Sequence, residues 1–274
     1  MKDLLKTPLI LAGAGKMGGA MLAGWLKGGL PPHKVIVQDP GPPPEVAQLL
    51  QQKDIPVYSS LDELKHAPSV IIVAVKPQVM DMVFPPIARF AVGDTLVISV
   101  AAGRTIASFE NYLPNGIAVV RSIPNTPAAI GRGMTVCAAN AHVTSAQRTV
   151  CDQLLASVGE VGWVDDEALI DAATAVSGSG PAYVFLLAEC LAQAGIDAGL
   201  APELAARLAN ATVSGAGELL HQSDATPATL RENVTSPGGT TFAALQVLMA
   251  DNGLKRLLSK AVAEAAKRSR ELSG

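Results

Sequence analysis

The chain has no basic stripe and no run that interleaves aromatic residues with arginine: 21 lysines and arginines stand against 24 aspartates and glutamates, and aromatic residues make up 4% of the whole. A nucleic-acid partner therefore has no electrostatic footing. Cysteine is scarce, and Cys137, Cys151 and Cys190 lack metal or redox spacing, which fits free packing thiols in a reducing, cytoplasmic compartment and no metal site. Long apolar runs are missing too. The least charged long stretch, residues 172–188, contains Ser-Gly-Ser-Gly-Pro and falls short of the roughly 20 apolar residues a spanning helix needs, so no membrane association is expected. The first seven residues carry charge and lead into a short apolar run ending in glycines, unlike a signal peptide.

What is present is a chain of 274 residues with 49% apolar content, enough for a sizeable core and for two domains. Residues 8–12 form a short apolar run that ends in Gly13-Ala14-Gly15-Lys16-Met17-Gly18, and helix formers follow. Strand, glycine turn and helix in this order suit a dinucleotide. The first glycine makes the tight turn, the second bares the backbone to the pyrophosphate, and the third lets helix and strand pack closely. A second strand, residues 34–38, is closed by Asp39, about 20 residues past the glycines, where a carboxylate accepts from the adenine ribose of NAD and repels the extra phosphate of NADP. The competing reading of Asp39 is an ordinary Asp-Pro turn, since Pro40-Gly41-Pro42-Pro43-Pro44 follows.

Further strands are expected at 56–58, 70–75, 95–100 and 118–122, separated by helical stretches such as 79–90. That alternation argues for an α/β fold with a doubly wound parallel sheet, whose ligands bind beyond the carboxyl ends of the strands. Three strand ends stand out: Ala74-Val75-Lys76-Pro77, Val100-Ala101-Ala102, and Asn125 within Pro124-Asn125-Thr126-Pro127. Small residues leave room for a dinucleotide, Lys76 meets its charge, and Asn125 offers an amide. A last strand pair at 134–138 and 160–164 flanks a helix at 145–157, and the first domain is set at residues 1–164.

Residues 165–274 show no strand pattern. Helices are expected at 171–175, 181–194, 202–220 and 254–272, and two of them are apolar on most faces, which argues for burial by a second copy of the chain. Between them, Ser236-Pro237-Gly238-Gly239-Thr240-Thr241 runs into an apolar helical stretch at 242–249. Glycines without Cβ atoms, with Thr240 or Thr241 as cap, make either a plain helix start or a seat for a small carboxylate or phosphate.

The segments Ala74-Val75-Lys76-Pro77-Gln78, Pro124-Asn125-Thr126-Pro127, residues 171–183 and residues 235–241 together resemble pyrroline-5-carboxylate reductase, in order and over nearly the whole chain. The resemblance implies a Rossmann domain followed by an all-helical dimerisation domain, a homodimer that often builds a ring of five dimers, and NADP(H) or NAD(H) as cofactor. It puts the residues 13–18 turn, Ala74 to Pro77, Val100 to Ala102 and Asn233 on the cofactor. It assigns the substrate carboxylate to Ser236, Gly238, Gly239 and Thr240, the ring nitrogen to the Thr241 hydroxyl, and a substrate-proximal acid to Glu167. Ile123, where a methionine is common, and the proline-rich loop after Asp39 depart from the family pattern.

The chemistry agrees. A protonated cyclic imine is already an electrophile, so hydride delivery needs positioning, with about 3 to 3.5 Å between reacting atoms, more than a strong acid. His33, His66, His142 and His221 all fall outside the motifs. A 3-hydroxyacid or 6-phosphogluconate-type dehydrogenase is the rival enzyme, but it carries a catalytic lysine shortly after the glycine-rich helix start, and residues 177–193 contain none. A non-enzymatic dinucleotide-binding redox sensor leaves the residues 236–241 loop without a purpose.

Overall fold

Four consecutive apolar residues with no polar alternation belong in a sheet covered on both faces, and every residue of β1 (Leu9–Ala12) is buried. The computed structural model describes residues 1–62 and 64–273. After β1 come α1 (Lys16–Lys27), β2 (Val35–Gln38), α2 (Pro44–Gln52), β3 (Val57–Tyr58), β4 (Val70–Val73), α3 (Met80–Ala88), β5 (Leu96–Ser99), α4 (Ile106–Glu110), β6 (Ala118–Pro124), β7 (Gly133–Ala139), α5 (Ser145–Leu155) and β8 (Gly159–Trp163). Among the described residues these eight strands form one sheet, ordered β3-β2-β1-β4-β5-β6-β7-β8.

Successive side chains point to opposite faces, and the core divides accordingly. Leu9, Leu11, Val35 and Val37 pack with Trp25 and Leu154 on one side, while Ile10, Ala12, Ile71 and Val73 pack with Phe84 and Phe109 on the other. Because β1 lies between β2 and β4, the strand order reverses there, and the crevice at the carboxyl ends of β1 and β4 is the switch point where such sheets bind ligands. One departure from an all-parallel sheet appears. Strand β7 runs antiparallel to β6, because the intervening short turn, Thr126–Ile130 with Gly131 at φ +71°, cannot supply the long crossover a parallel return requires.

The chain divides into two compact units, Met1–Gly178 with Ala266–Gly274, and Ser179–Ala265. The first extends past residue 164 because α6 (Leu169–Ala173) inserts Ile170, fully buried, into the second core cluster. A π-helical turn, Thr174–Gly178, follows. The second unit holds α7 (Gly180–Asp197), α8 (Pro202–Gln222), α9 (Pro227–Asn233), α10 (Thr240–Leu248) and most of α11 (Leu254–Ser273). Helices α7 and α8 approach so closely that a Cβ on Gly195 would stand 3.3 Å from that of Ala205. Helix α9, capped by Thr226, had no counterpart in the sequence reading.

The apolar stretch at residues 172–188 is interrupted at Ser179, within Ser-Gly-Ser-Gly-Pro. Helical turns run from Leu169 to Gly178 and again from Gly180 to Asp197 about a bend at Ser179, and residues 169–197, with mean hydropathy 1.3 and 6% of their most apolar window buried, are long and apolar enough to cross a membrane by length and composition. Gly178 closes the π turn, Gly180 opens α7, and Pro181 sits in the first turn of α7, where its missing N–H costs nothing. Val184, Phe185, Leu186 and Leu187 are exposed.

Candidate functional site

In the first unit the glycine turn has the shape its spacing implies. Gly13 adopts φ +89°, and a Cβ there would fall 2.7 Å from the carbonyl oxygen of Ala74, so only glycine fits. A Cβ on Gly18 would collide with the Gly13 carbonyl. Gly15 is different: nothing lies within 4 Å of where its Cβ would be. It is also the N-cap of the twelve-residue α1, without a side-chain cap. Open space in front of uncapped amides at a helix start is the cradle a pyrophosphate requires. Lys16, Met17 and Gly18 form the first turn of that helix.

Asp39, at the end of β2, accepts from the amide of Ala14 at 2.7 Å through Oδ2 and from the amide of Gly41 at 2.8 Å through Oδ1. Asp39 thus closes the local turn after β2 and also ties that turn to the glycine loop. Beside it, Ala74 continues the ladder by donating to Ala12 at 2.7 Å, and Val100 donates to Val73 at 3.0 Å. Ala74, Val75 and Pro77 are half-buried, Lys76 and Ala102 exposed, and Ala101 buried. Asn125, expected to offer an amide to a ligand, is committed elsewhere. Its Nδ2 donates to the carbonyl and hydroxyl oxygens of Ser177 at 3.2 Å each, and its Oδ1 accepts from Met134 at 2.9 Å, which braces the π turn.

Glu167 lies within the first unit's own frame. Its Oε1 accepts from Arg121 Nη1 at 2.9 Å and from the Ile106 amide at 2.9 Å. Arg121 is 2% exposed. The sequence reading missed this pair, although an arginine inside the apolar strand expected at 118–122 signals that a carboxylate has to meet it.

In the second unit, α9 ends at Asn233, which is exposed. Gly239 then donates to the Ser236 carbonyl at 3.0 Å, with Gly238 at φ +67°; proline at the second and glycine at the third position make this the pattern of a type II turn. Gly239 packs against the Ser236 hydroxyl. The N-cap of α10 is Gly239, not Thr240 or Thr241, and no side chain caps it. The two threonines form the first turn instead, Thr240 exposed and Thr241 half-buried, because the turn consumes the position a capping hydroxyl would take. Amides at the start of α10 are thereby left without a side-chain cap, as a carboxylate seat requires.

A doubly wound sheet, a dinucleotide-type glycine turn at its switch point and an apolar helical unit with an uncapped Ser-Pro-Gly-Gly turn define a Rossmann-type, nicotinamide-dependent oxidoreductase with a helical second part. Residues 167–272 match the family model described as pyrroline-5-carboxylate reductase dimerisation, and residues 9–103 match that described as NADP oxidoreductase coenzyme F420-dependent. The chain is 41% identical to a pyrroline-5-carboxylate reductase of Pseudomonas aeruginosa over 98% of both chains. It is similar in structure to that of Coxiella burnetii, with 32% identity, a TM-score of 0.91 and coverage of 98% and 99%. The Plasmodium falciparum reductase solved with NADP bound gives 29% identity and a TM-score of 0.80 over 98% and 99%. The chain belongs to the pyrroline-5-carboxylate reductase family.

Proposed function

We infer that the chain reduces 1-pyrroline-5-carboxylate to L-proline, the last step of proline biosynthesis, with NADPH or NADH as reductant. The observation that carries this reading is the pairing, within one chain of this family, of an open second glycine at Gly15 with an uncapped Ser236-Pro237-Gly238-Gly239 turn at the start of α10. When bound, the reduced nicotinamide supplies a hydride to the imine carbon. Gly13, Ala14, Gly15, Lys16, Met17 and Gly18 receive the pyrophosphate. Ala74, Val75, Lys76, Pro77, Val100, Ala101 and Ala102 line the strand ends beside it, and Asn233 is a further cofactor residue.

The substrate carboxylate is held by Ser236 and by the backbone of Gly238, Gly239 and Thr240, where aligned amides favour negative charge. Thr241 accepts from the protonated ring nitrogen, which orients the imine carbon and keeps the nitrogen charged, so no strong general acid is required. Asp39 favours NADH, because its carboxylate is pinned by two amides and opposes a ribose phosphate. The working assembly is a homodimer in the cytoplasm, in which the exposed apolar surface of α7 is covered by the second copy; light scattering separates a dimer from a ring of five dimers. Mixing the purified protein with pyrroline-5-carboxylate and each reduced cofactor, and following nicotinamide absorbance, tests the reading. Absorbance that holds steady with both cofactors overturns it.

A further inference from the structure

We propose that Glu167, through its paired bonds to Arg121 and Ile106, is a positioning residue for the cofactor-facing loop between β5 and α4. The inference rests on the reading that Val100, Ala101 and Ala102 lie against the dinucleotide.

Apolar packing reaches the loop through Val100 and Ala101 at its start and Ile106 at its end. Residues 100–105 read Val-Ala-Ala-Gly-Arg-Thr, and small side chains that leave room for a ligand also leave the backbone free to wander. Polar ties also fix it. At its start, Ala101 donates to Ser99 Oγ at 3.2 Å, and the Ser99 carbonyl accepts from Ser122 Oγ at 2.7 Å. In its middle, Arg104 donates to Asp81 at 2.9 and 2.7 Å and to the Pro77 carbonyl at 3.0 Å, linking this loop to the one after β4. At its end, the amide of Ile106, first residue of α4, donates to Glu167.

Glu167 differs from the other ties in what stands behind it. Its partner Arg121 is 2% exposed on β6, the strand next to β5, with Arg121 opposite Ser99 in the register. The carboxylate therefore joins the buried frame of the sheet to the first amide of a five-residue helix whose Thr105 cap accepts from Ser108 and leaves the Ile106 amide to Glu167. It is also a charge-assisted acceptor, about twice as strong as a neutral one. Removing it releases the end of the loop while the start remains tied to Ser99.

A residue with this role changes cofactor affinity and leaves substrate affinity alone, whereas a carboxylate against the imine does the reverse. The test is titration of the reduced dinucleotide by its fluorescence, alongside steady-state kinetics and calorimetry. Glu167→Ala should raise the dinucleotide Kd about tenfold with the KM for pyrroline-5-carboxylate little changed. Glu167→Gln should recover most of that loss, since its amide oxygen still accepts from Ile106.

Removing the charge takes one of its counter-charges from the buried Arg121, which destabilises. The double variant Arg121→Met with Glu167→Gln removes that burden and should bind the dinucleotide nearly as the natural chain does. A raised imine KM with unchanged dinucleotide Kd would overturn the proposal in favour of substrate contact. Lowered thermal stability with unchanged Kd and KM in both Glu167 variants would overturn it in favour of a purely structural bond. Failure of the natural chain to bind either reduced dinucleotide would instead remove the cofactor reading beneath it.

Discussion

Single residues carry the sharpest expectations because each acts through one or two bonds. On the proposed mechanism Thr241→Ala removes the hydroxyl assigned to the ring nitrogen, and it should lower kcat/KM by about 10- to 100-fold, the worth of a hydrogen bond to a charged group. The dinucleotide Kd should stay as it was; natural kinetics in this variant would remove Thr241 from the mechanism. Cys137 and Cys151 are both fully buried. A hydrogen bond with Cys137, and then burial, pushes the Cys151 thiol well above its ordinary value of 9.0. Neither should react with an alkylating reagent in the folded protein at pH 8, as mass spectrometry of labelled peptides can show. The sign of the linkage follows: this contribution to stability is intact below pH 9.0 and is lost as pH rises above it, because the unfolded chain releases a proton that the core retains. Asp81 works in the opposite sense. The hydrogen bond from Arg104 holds its carboxyl below the ordinary 3.8, so that tie persists across neutral pH and is lost only as pH falls through the lowered value.

At the scale of elements, the two glycine turns were legible in the sequence for the reason that makes them work. A strand, three glycines at fixed offsets and a helix leave few alternative backbones, and Gly13, Gly15 and Gly18 do divide the labour of turn, open cradle and close packing. Gly15→Ala should therefore fold with a stability loss under about 1 kcal/mol yet bind the dinucleotide at least tenfold more weakly, a difference of about 1.4 kcal/mol. Gly13→Ala should instead lower the thermal midpoint, since an L side chain at φ +89° is strained and would meet the Ala74 carbonyl. Equal effects of the two substitutions on calorimetry and on titration would count against this division. Helix α9 and the cap of α10 were not legible. Thr226 caps the first through a single hydroxyl, a signal too common to stand out, and the N-cap of the second depends on a turn geometry that Thr240 and Thr241 do not announce.

For the whole molecule, the apolar exposure of the helical unit is the dominant feature. Phe185 is 68% exposed and Leu186 57%, and such a surface marks an interaction site. Phe185→Glu should weaken the homodimer, seen as a lower mass by light scattering and as activity that falls on dilution. A chain that remained of one size and fully active on dilution would argue against this surface as the interface. The same exposed segment is long and apolar enough to cross a membrane by length and composition, since a helix to be covered by protein and one to be covered by lipid are alike in composition.

Amino-acid order alone settled the elements whose physics is local. Continuously apolar strands, glycines where a backbone must turn or come close, and prolines at the starts of α7 and α8 are consequences of neighbouring residues. Tertiary structure decided the partners of polar groups. Asn125 met Ser177 and Met134, and Asp39 was shared between Ala14 and Gly41. Glu167 turned to Arg121 and Ile106, across 46 and 61 residues of chain. A buried charge takes whichever complement the fold brings within about 3 Å, and that distance is a property of the packed sheet that residue order does not contain.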